Sequence, residues 1–159
     1  GHIGMANWAQ MVNILAPIMT NENASVRQTV FFPLKEYRAH VLNESVFAKA
    51  DSPAIEEGLA SMNVFATIDR ETKLLTLFVV NISPQDIKTT FNFTNCKIDK
   101  LLDTTVLSAP SLEAKNLLSS PDKNVVSTIL TPVNRNPKEV TFKGETVTIC
   151  QFKLSEIAK

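Results

Sequence analysis

Hydrophobic and polar positions follow a helical spacing at the start of this chain. Over residues 5–15 the apolar residues recur every three to four positions, while the amides of Asn7, Gln10 and Asn13 form a polar stripe. Lys, Arg, Asp and Glu are absent from this whole stretch. Because a solvent-facing helix usually carries Lys and Glu on its outer face, we predict a helix that another surface covers.

The following segments extend the order to helix, strand, helix. Residues 26–32 are β-branched and aromatic, which predicts a strand. Pro33 then opens a run over residues 34–41 with good helix formers and apolar residues at Leu34, Tyr37 and Val41, which predicts a second helix. This alternation is typical of a parallel α/β barrel or sheet, and it stops near Leu42.

From Ser45 onward the pattern changes to short β-rich runs separated by turns. The clearest hairpin joins residues 62–68 to residues 74–82. A mixed stretch with two prolines predicts a long crossing loop over residues 108–124. Further strand candidates are residues 46–50, 87–93, 100–107, 125–129, 139–142 and 146–154.

These two patterns together predict the fold class and the domain organisation. About seven or eight strands in this arrangement predict a mainly β fold, an antiparallel and jelly-roll-like β-sandwich. We place this sandwich at residues 43–159. Residues 1–42, with their helix, strand and helix, form a separate predicted unit of the parallel α/β type.

Charge and hydropathy narrow the classes of partner. Sixteen Lys and Arg balance sixteen Asp and Glu, and no basic run is interleaved with aromatic residues. We therefore expect neither nucleic acid nor a membrane as partner, and a neutral partner such as a sugar fits better. The weakly polar stretch over residues 3–20 is interrupted by amides and Pro17, so it predicts neither a membrane span nor a signal peptide. The cellular compartment stays open.

Cysteine and histidine usage predicts no cofactor site. Cys96 and Cys150 are too few for a disulfide scaffold, and His2 and His40 are the only histidines. We interpret both cysteines as buried thiols, with a disulfide between them as the alternative. No metal and no other cofactor is expected.

Three segments resemble a known family. The segments ANWAQMVNILAPIMT at residues 6–20 and RQTVFFP at residues 27–33 resemble glycoside hydrolase family 51, the α-L-arabinofuranosidases. A third segment, VLSAPSLEAKN at residues 106–116 with the SPD and VV that follow it, resembles the late loop of that family. The three segments together span most of the chain.

This resemblance implies a parent enzyme with two parts. The family carries two catalytic glutamates on a (β/α)8 barrel, followed by a C-terminal jelly roll packed against it. Residues 1–42 would then be a remnant of the (β/α)8 barrel, with its seventh helix at residues 6–16, its eighth strand at residues 26–31 and its eighth helix at residues 34–41. Both glutamates would precede this chain, which would be a non-catalytic accessory domain. Its expected partners are the rest of the barrel and, through the parent enzyme, an arabinose-containing glycan.

Gln28 is the one candidate substrate-binding residue. A retaining glycosidase needs two carboxylates about 5 to 5.5 Å apart, and we predict no such catalytic pair here, because the glutamates lie in turns or on polar faces where solvated charge is the default. The resemblance implies that the glutamine of residues 27–33 contacts the sugar in the full-length enzyme. A side-chain amide can donate to one sugar oxygen and accept from another hydroxyl. A strand glutamine that faces solvent or a neighbouring backbone is the alternative.

Other conspicuous residues have structural interpretations. Trp8 lies on the apolar stripe of the first predicted helix, where ordinary packing is favoured over a sugar platform. His40 ends the second predicted helix, which favours a helix-capping role. Phe31 and Phe32 stand where the family often has tyrosines, so hydrogen bonds from those hydroxyls are absent.

Two other functions compete with the accessory domain. A carbohydrate-binding β-sandwich module is the alternative, although the sandwich portion has no tryptophan and no tyrosine. A structural domain unrelated to glycosidases is the third. Separation from the barrel would expose Trp8, Val12, Leu15 and the strand edge of residues 26–32, which predicts a homo-oligomer.

Overall fold

The structure, a computed structural model, describes residues 9–137 and 139–158. Antiparallel β-structure dominates this part of the chain, and its helix packs on one face of the largest sheet. The elements are β1 (Ile18–Thr20), β2 (Ser25–Arg27), α1 (Phe31–His40), β3 (Glu44–Val46), β4 (Ala54–Glu56), β5 (Leu59–Ala60), β6 (Met62–Asp69), β7 (Leu74–Asn81), β8 (Ile87–Thr90), β9 (Cys96–Ser108), β10 (Ser127–Arg135), β11 (Glu139–Phe142) and β12 (Thr146–Ile157).

The largest sheet has six strands in the order β10-β9-β12-β7-β6-β3, with every neighbouring pair antiparallel. The predicted hairpin forms its β6–β7 pair. The Asp69 carboxylate accepts the N–H groups of Glu71 and Thr72 at 2.9 and 3.1 Å, and Lys73 has a positive φ of 52°. The side chain of Asp69 thus fixes the turn that sets the register of this pair.

The main core lies between this sheet and the two-stranded β8–β11 sheet. Along β12 the alternate residues Cys150, Phe152 and Leu154 point into the core, as the period of a strand requires. From the other side Phe142 is buried, and Phe91 meets the Phe152 ring edge-on at 5.3 Å. This arrangement confirms the predicted β-sandwich.

Helix α1 covers part of the opposite face of the six-stranded sheet. Phe78, Leu107 and Ile149 are buried there, and Phe32 and Tyr37 of α1 pack against them. Leu34 and Val41, the other apolar residues of the predicted stripe, are each 40% exposed. The helix therefore has apolar residues on its sheet-facing side and on its outer side.

A bulge in β9 decides which residues face α1. Leu101 pairs with Phe152 and Asp103 pairs with Gln151, so Leu102 is the extra residue. Leu101 consequently lies in the main core, while Asp103 and Leu107 lie on the face that α1 covers.

The first predicted helix is wrong for the residues that the structure describes. Residues 9–15 form bends and turns rather than a helix, and residues 5–8 lie outside the described part. Asn13 and Ile14 have positive φ, the Asn13 N–H donates to the Ile18 carbonyl at 2.7 Å, and its side chain accepts the Thr20 N–H at 2.8 Å. Packing of an apolar face supplies most of a protein helix's stability, and here Val12 is 46% exposed.

The strand predicted over residues 26–32 is shorter and earlier than expected. It covers only Ser25–Arg27 and pairs with β1, and α1 begins at Phe31. Pro33 is tolerated as the third helical residue because first-turn N–H groups have no intrahelical acceptor. The start of the helix therefore overrides the β propensity of Phe31 and Phe32.

The other strand predictions hold with shifted ends, except the one over residues 46–50. That prediction is wrong for residues 47–50, because β3 covers Glu44–Val46, and the short β4–β5 hairpin was not predicted. The long loop expected over residues 108–124 is present as irregular chain between β9 and β10. Among the described residues no helix is long and apolar enough to cross a membrane.

Both cysteines are free thiols. Cys150 is completely buried and Cys96 is half-buried. Burial, together with the nearby negative charge of Asp103, raises the pKa of Cys150 to about 12, and burial also raises the pKa of Cys96. The thiol interpretation is thus confirmed, although Cys96 is less buried than predicted.

Candidate functional site

Gln28 lies in the turn between β2 and α1 rather than within a strand. Its backbone N–H donates to the Pro17 carbonyl at 2.8 Å, and its own carbonyl accepts the Phe31 N–H at 3.0 Å. The residue is half-buried. These two bonds fix the backbone of Gln28 against β1 on one side and against the first turn of α1 on the other.

Asn116 ties the late loop to the segment that carries Gln28. This buried side chain donates to the Arg27 carbonyl at 2.7 Å and to the Asn124 side-chain oxygen at 3.0 Å, and it accepts the Val125 N–H at 2.8 Å. Two segments that the sequence singled out separately therefore meet at one side chain. Their contact joins residues 89 positions apart, which sequence spacing does not reveal.

An apolar cleft opens beside this junction. Its volume is about 530 Å³, and it lies between the N-terminal end of α1, the ends of β7 and β9, and the late loop. Glu145 and Asn81 are among its few polar neighbours. The cleft suits apolar side chains better than a neutral sugar, because few polar groups converge on it. Its main apolar walls are Val30, Pro33, Val80, Leu107, Leu112 and Val147.

Glu36 departs from the expectation that the glutamates are solvated. It is 9% exposed and is the buried residue of α1. Its carboxylate lies 3.1 Å from the Lys35 ammonium and 3.8 Å from Nδ1 of His40. The spacing of Leu34, Tyr37 and Val41 did not reveal the burial of Glu36. Two of these three apolar residues, Leu34 and Val41, are themselves each 40% exposed.

His40 contacts the last turn of α1, as a capping residue should. Its Nδ1 lies 2.8 Å from the Glu36 carbonyl oxygen. The described residues contain no group of three or more His, Cys, Asp or Glu side chains that could hold a metal ion. His2 and Trp8 lie outside the described residues.

A row of polar residues crosses the sheet on the face that carries α1. Strand register aligns Thr67 with Thr76, Thr76 with Gln151, and Gln151 with Asp103. Partial burial raises the pKa of Asp103, and the positive charge of His40 opposes this shift. The sequence offered no sign of this row, because it exists only once the register of four strands is known.

Phe31 and Phe32 have packing roles. Arg27 places its guanidinium 5.4 Å from the centre of the Phe31 ring, a cation–π distance. Phe32 packs against the buried cluster of Phe78, Leu107 and Ile149. Neither ring is a free platform for a ligand.

Residues 2–145 match the family described as the α-L-arabinofuranosidase C-terminal domain. The chain belongs to this family. The resemblance drawn from the three sequence segments is thereby confirmed.

The segment that matches this chain is only a part of each relative. An intracellular exo-α-(1→5)-L-arabinofuranosidase of Streptomyces lividans is 27% identical over 132 residues, which are 77% of this chain and 19% of that protein. The protein of the same description from Acetivibrio thermocellus is 30% identical over 121 residues, 72% of this chain and 24% of that protein. The chain thus spans about a fifth to a quarter of these relatives' length.

Solved structures agree on the fold of this family. An α-L-arabinofuranosidase from Thermotoga maritima aligns with a TM-score of 0.73 at 21% identity, covering 90% of this chain and 32% of that one. A family 51 α-L-arabinofuranosidase from Bifidobacterium longum aligns with a TM-score of 0.72 at 22% identity, covering 91% and 29%. At this identity the likeness concerns the fold, and it matches the sandwich described above.

Proposed function

We propose that this chain is the non-catalytic C-terminal accessory domain of an α-L-arabinofuranosidase. The match of residues 2–145 to the C-terminal domain family carries this proposal. The full-length enzyme hydrolyses terminal α-L-arabinofuranosyl residues with retention, using two carboxylates about 5 to 5.5 Å apart that precede this chain. Residues 1–42 belong to the catalytic barrel, and residues 43–159 form the accessory sandwich.

The exposed apolar residues support a barrel partner. Met11 is 65% exposed and Ile14 is 75% exposed, and Leu34 lies on the outer side of α1 at 40%. Large apolar side chains with this much exposure fit a surface that another part of the protein covers. The preceding part of the parent enzyme is the partner that fits, because the relatives are about four to five times as long as the matched segment.

Gln28 is the residue through which this chain reaches the substrate. In the full-length enzyme its amide donates to and accepts from hydroxyls of the arabinofuranosyl unit. Asn116 supports this role, because its bond to the Arg27 carbonyl fixes the residue next to Gln28 from the accessory side. The sandwich therefore contributes to the active site indirectly, by anchoring a segment of the barrel.

The deciding experiment compares this chain with the longer protein that contains it, using 4-nitrophenyl α-L-arabinofuranoside as substrate. We expect hydrolysis only by the longer protein. Hydrolysis by this chain would contradict its non-catalytic role, and hydrolysis by neither would remove the proposed parent activity. Binding of arabinan by this chain in titration calorimetry would instead favour the carbohydrate-binding module.

A variant of the longer protein tests Gln28. We expect Gln28→Ala to raise KM markedly, because it removes two hydrogen bonds to the sugar, whereas the control Gln85→Ala changes an exposed glutamine of the β7–β8 loop and leaves KM unchanged. Equal KM values for the two variants would exclude a substrate contact by Gln28. Association of the parent enzyme into a homo-oligomer is part of the same proposal, and its molar mass in solution tests it.

A further inference from the structure

The peptide unit between Arg27 and Gln28 is held at both of its polar ends. Its carbonyl oxygen accepts a hydrogen bond from the Asn116 side-chain amide at 2.7 Å, and its N–H, which belongs to Gln28, donates to the Pro17 carbonyl at 2.8 Å. Because a peptide unit is planar, bonds at both ends fix its rotation. This rotation is one of the two that decide where the Gln28 side chain points.

The other rotation at Gln28 is fixed by the start of α1. The Gln28 carbonyl accepts the Phe31 N–H at 3.0 Å, so the peptide unit that follows Gln28 is held as well. With both units held, φ and ψ of Gln28 are set, and the direction of its Cβ follows from them. Of these three bonds, the one from Asn116 comes from residues 43–159, the proposed sandwich.

Asn116 is itself held in a single orientation. One amide hydrogen goes to the Arg27 carbonyl and the other to the Asn124 side-chain oxygen at 3.0 Å, while the amide oxygen accepts the Val125 N–H at 2.8 Å. Rotation of the amide by half a turn would break all three bonds. The residue is 7% exposed, so breaking them would leave buried polar groups without partners.

Asn124 closes the loop that carries Asn116. Its side-chain oxygen also accepts the Val126 N–H at 3.1 Å, and its amide donates to the Val126 carbonyl at 2.8 Å. Two backbone turn bonds of 3.0 Å order the chain between the two asparagines. The late loop is therefore closed by its own hydrogen bonds directly before β10, and it presents the Asn116 amide to the Arg27 carbonyl.

We propose that Asn116, braced by Asn124, is a positioning residue for Gln28, so that the late loop of the sandwich sets the direction of the side chain that contacts the sugar. The inference rests on the proposed substrate contact of Gln28 and deepens it. It assigns part of the substrate affinity of the parent enzyme to two asparagines that act through the Arg27–Gln28 peptide rather than on the sugar.

A double-mutant cycle in the longer protein tests this coupling with 4-nitrophenyl α-L-arabinofuranoside. We expect Asn116→Ala to raise KM about three- to ten-fold, which corresponds to the weakening of one ordinary hydrogen bond. In a Gln28→Ala background the same change should alter KM by less than about two-fold, because the side chain to be positioned is gone. Asn124→Ala, at an exposed residue, should raise KM by a smaller factor.

The cycle separates the inference from the function on which it rests. If Gln28→Ala raises KM but Asn116→Ala has the same effect in both backgrounds, the positioning role is overturned and the substrate contact stands. If Gln28→Ala leaves KM unchanged, the substrate contact is overturned and the positioning role with it.

A variant with a comparable loss of stability is the control for a merely structural effect. Thr67→Val removes the side-chain acceptor of the Leu42 N–H at a buried position of β6, and we expect its KM to equal that of the parent enzyme. In this chain, the amide of Gln28 should exchange its hydrogen faster in Asn116→Ala than in Thr67→Val. Equal KM values for these two variants, or equal exchange at Gln28, would overturn the proposal.

Discussion

Thr67 and Thr76 lie opposite each other on β6 and β7, yet their hydroxyl groups have different surroundings. Both residues are buried. The Thr67 hydroxyl accepts the Leu42 N–H at 3.0 Å, whereas the Thr76 hydroxyl has no hydrogen-bond partner among the described residues. A buried hydroxyl without a partner destabilises the folded state, and one that satisfies a buried N–H stabilises it.

Replacement of each threonine by valine should therefore have opposite effects. We expect Thr76→Val to raise the free energy of unfolding by about 1 kcal/mol, because it removes an unsatisfied polar group. Thr67→Val should lower it by about 1 to 3 kcal/mol, because the Leu42 N–H loses its acceptor. Urea denaturation of the two variants measures both changes. A loss of stability in both would indicate that the Thr76 hydroxyl is satisfied.

Asp103 gives the fold a dependence on pH. Its pKa is raised in the folded chain, mainly by burial, so the folded state binds its proton more tightly than the unfolded state. The stabilisation from this proton is complete below the unfolded pKa and is lost as pH rises through the folded pKa. At neutral pH the charged carboxylate therefore lowers stability, because burial disfavours its charged form.

The substitution Asp103→Asn should accordingly raise Tm at neutral pH. This increase should become smaller as the pH falls through the range in which carboxyl groups become protonated. Asp99→Asn, at an exposed position of the same strand, is the matched control and should change Tm little. Thermal unfolding followed by circular dichroism over a pH series measures the difference. If Asp103→Asn raised Tm by the same amount at every pH, titration of Asp103 would not be the cause of the increase.

At the scale of elements, the late loop is held to β2 by one side chain. Asn116→Ala leaves the Arg27 carbonyl and the Val125 N–H without their partner, and we expect a loss of about 1 to 3 kcal/mol in stability. Limited proteolysis should also cut the loop faster. Asn92→Ala, at an exposed asparagine, is the control. Equal proteolysis of the two variants would mean that other contacts hold the loop.

Elements that form through local interactions were predicted from the sequence, whereas features that depend on long-range packing were not. The β6–β7 hairpin was predicted because its turn residue, Asp69, and its alternating strands are all local. For residues 9–15 the predicted helix is wrong, and the strand predicted over residues 26–32 is too long, because neither pattern has the neighbours among the described residues that would stabilise it. The bond of Asn116 and the burial of Glu36 depend on long-range packing, which no local pattern encodes.

At the scale of the whole molecule, one end of the chain has apolar residues without a cover among the described residues. Met11 and Ile14 should bind a hydrophobic dye such as anilinonaphthalene sulfonate in the isolated chain. The double variant Met11→Gln with Ile14→Asn should reduce this fluorescence, and the second change also suits the positive φ of that position. Far-UV circular dichroism checks that the fold is kept. Undiminished fluorescence would place the dye elsewhere, with the apolar cleft as the obvious site.

The bond between Asn116 and Arg27 also has a consequence for recombination between proteins of this family. It crosses the proposed boundary between residues 42 and 43, as does the packing of Phe32 on Phe78. In a chimera joined at residue 43, Asn116 of the late loop would lose its hydrogen bond to Arg27, and Phe78 would lose its packing against Phe32. A functional graft of the sandwich onto another barrel would have to carry residues 25–42 with it, so the unit of exchange is larger than the sandwich.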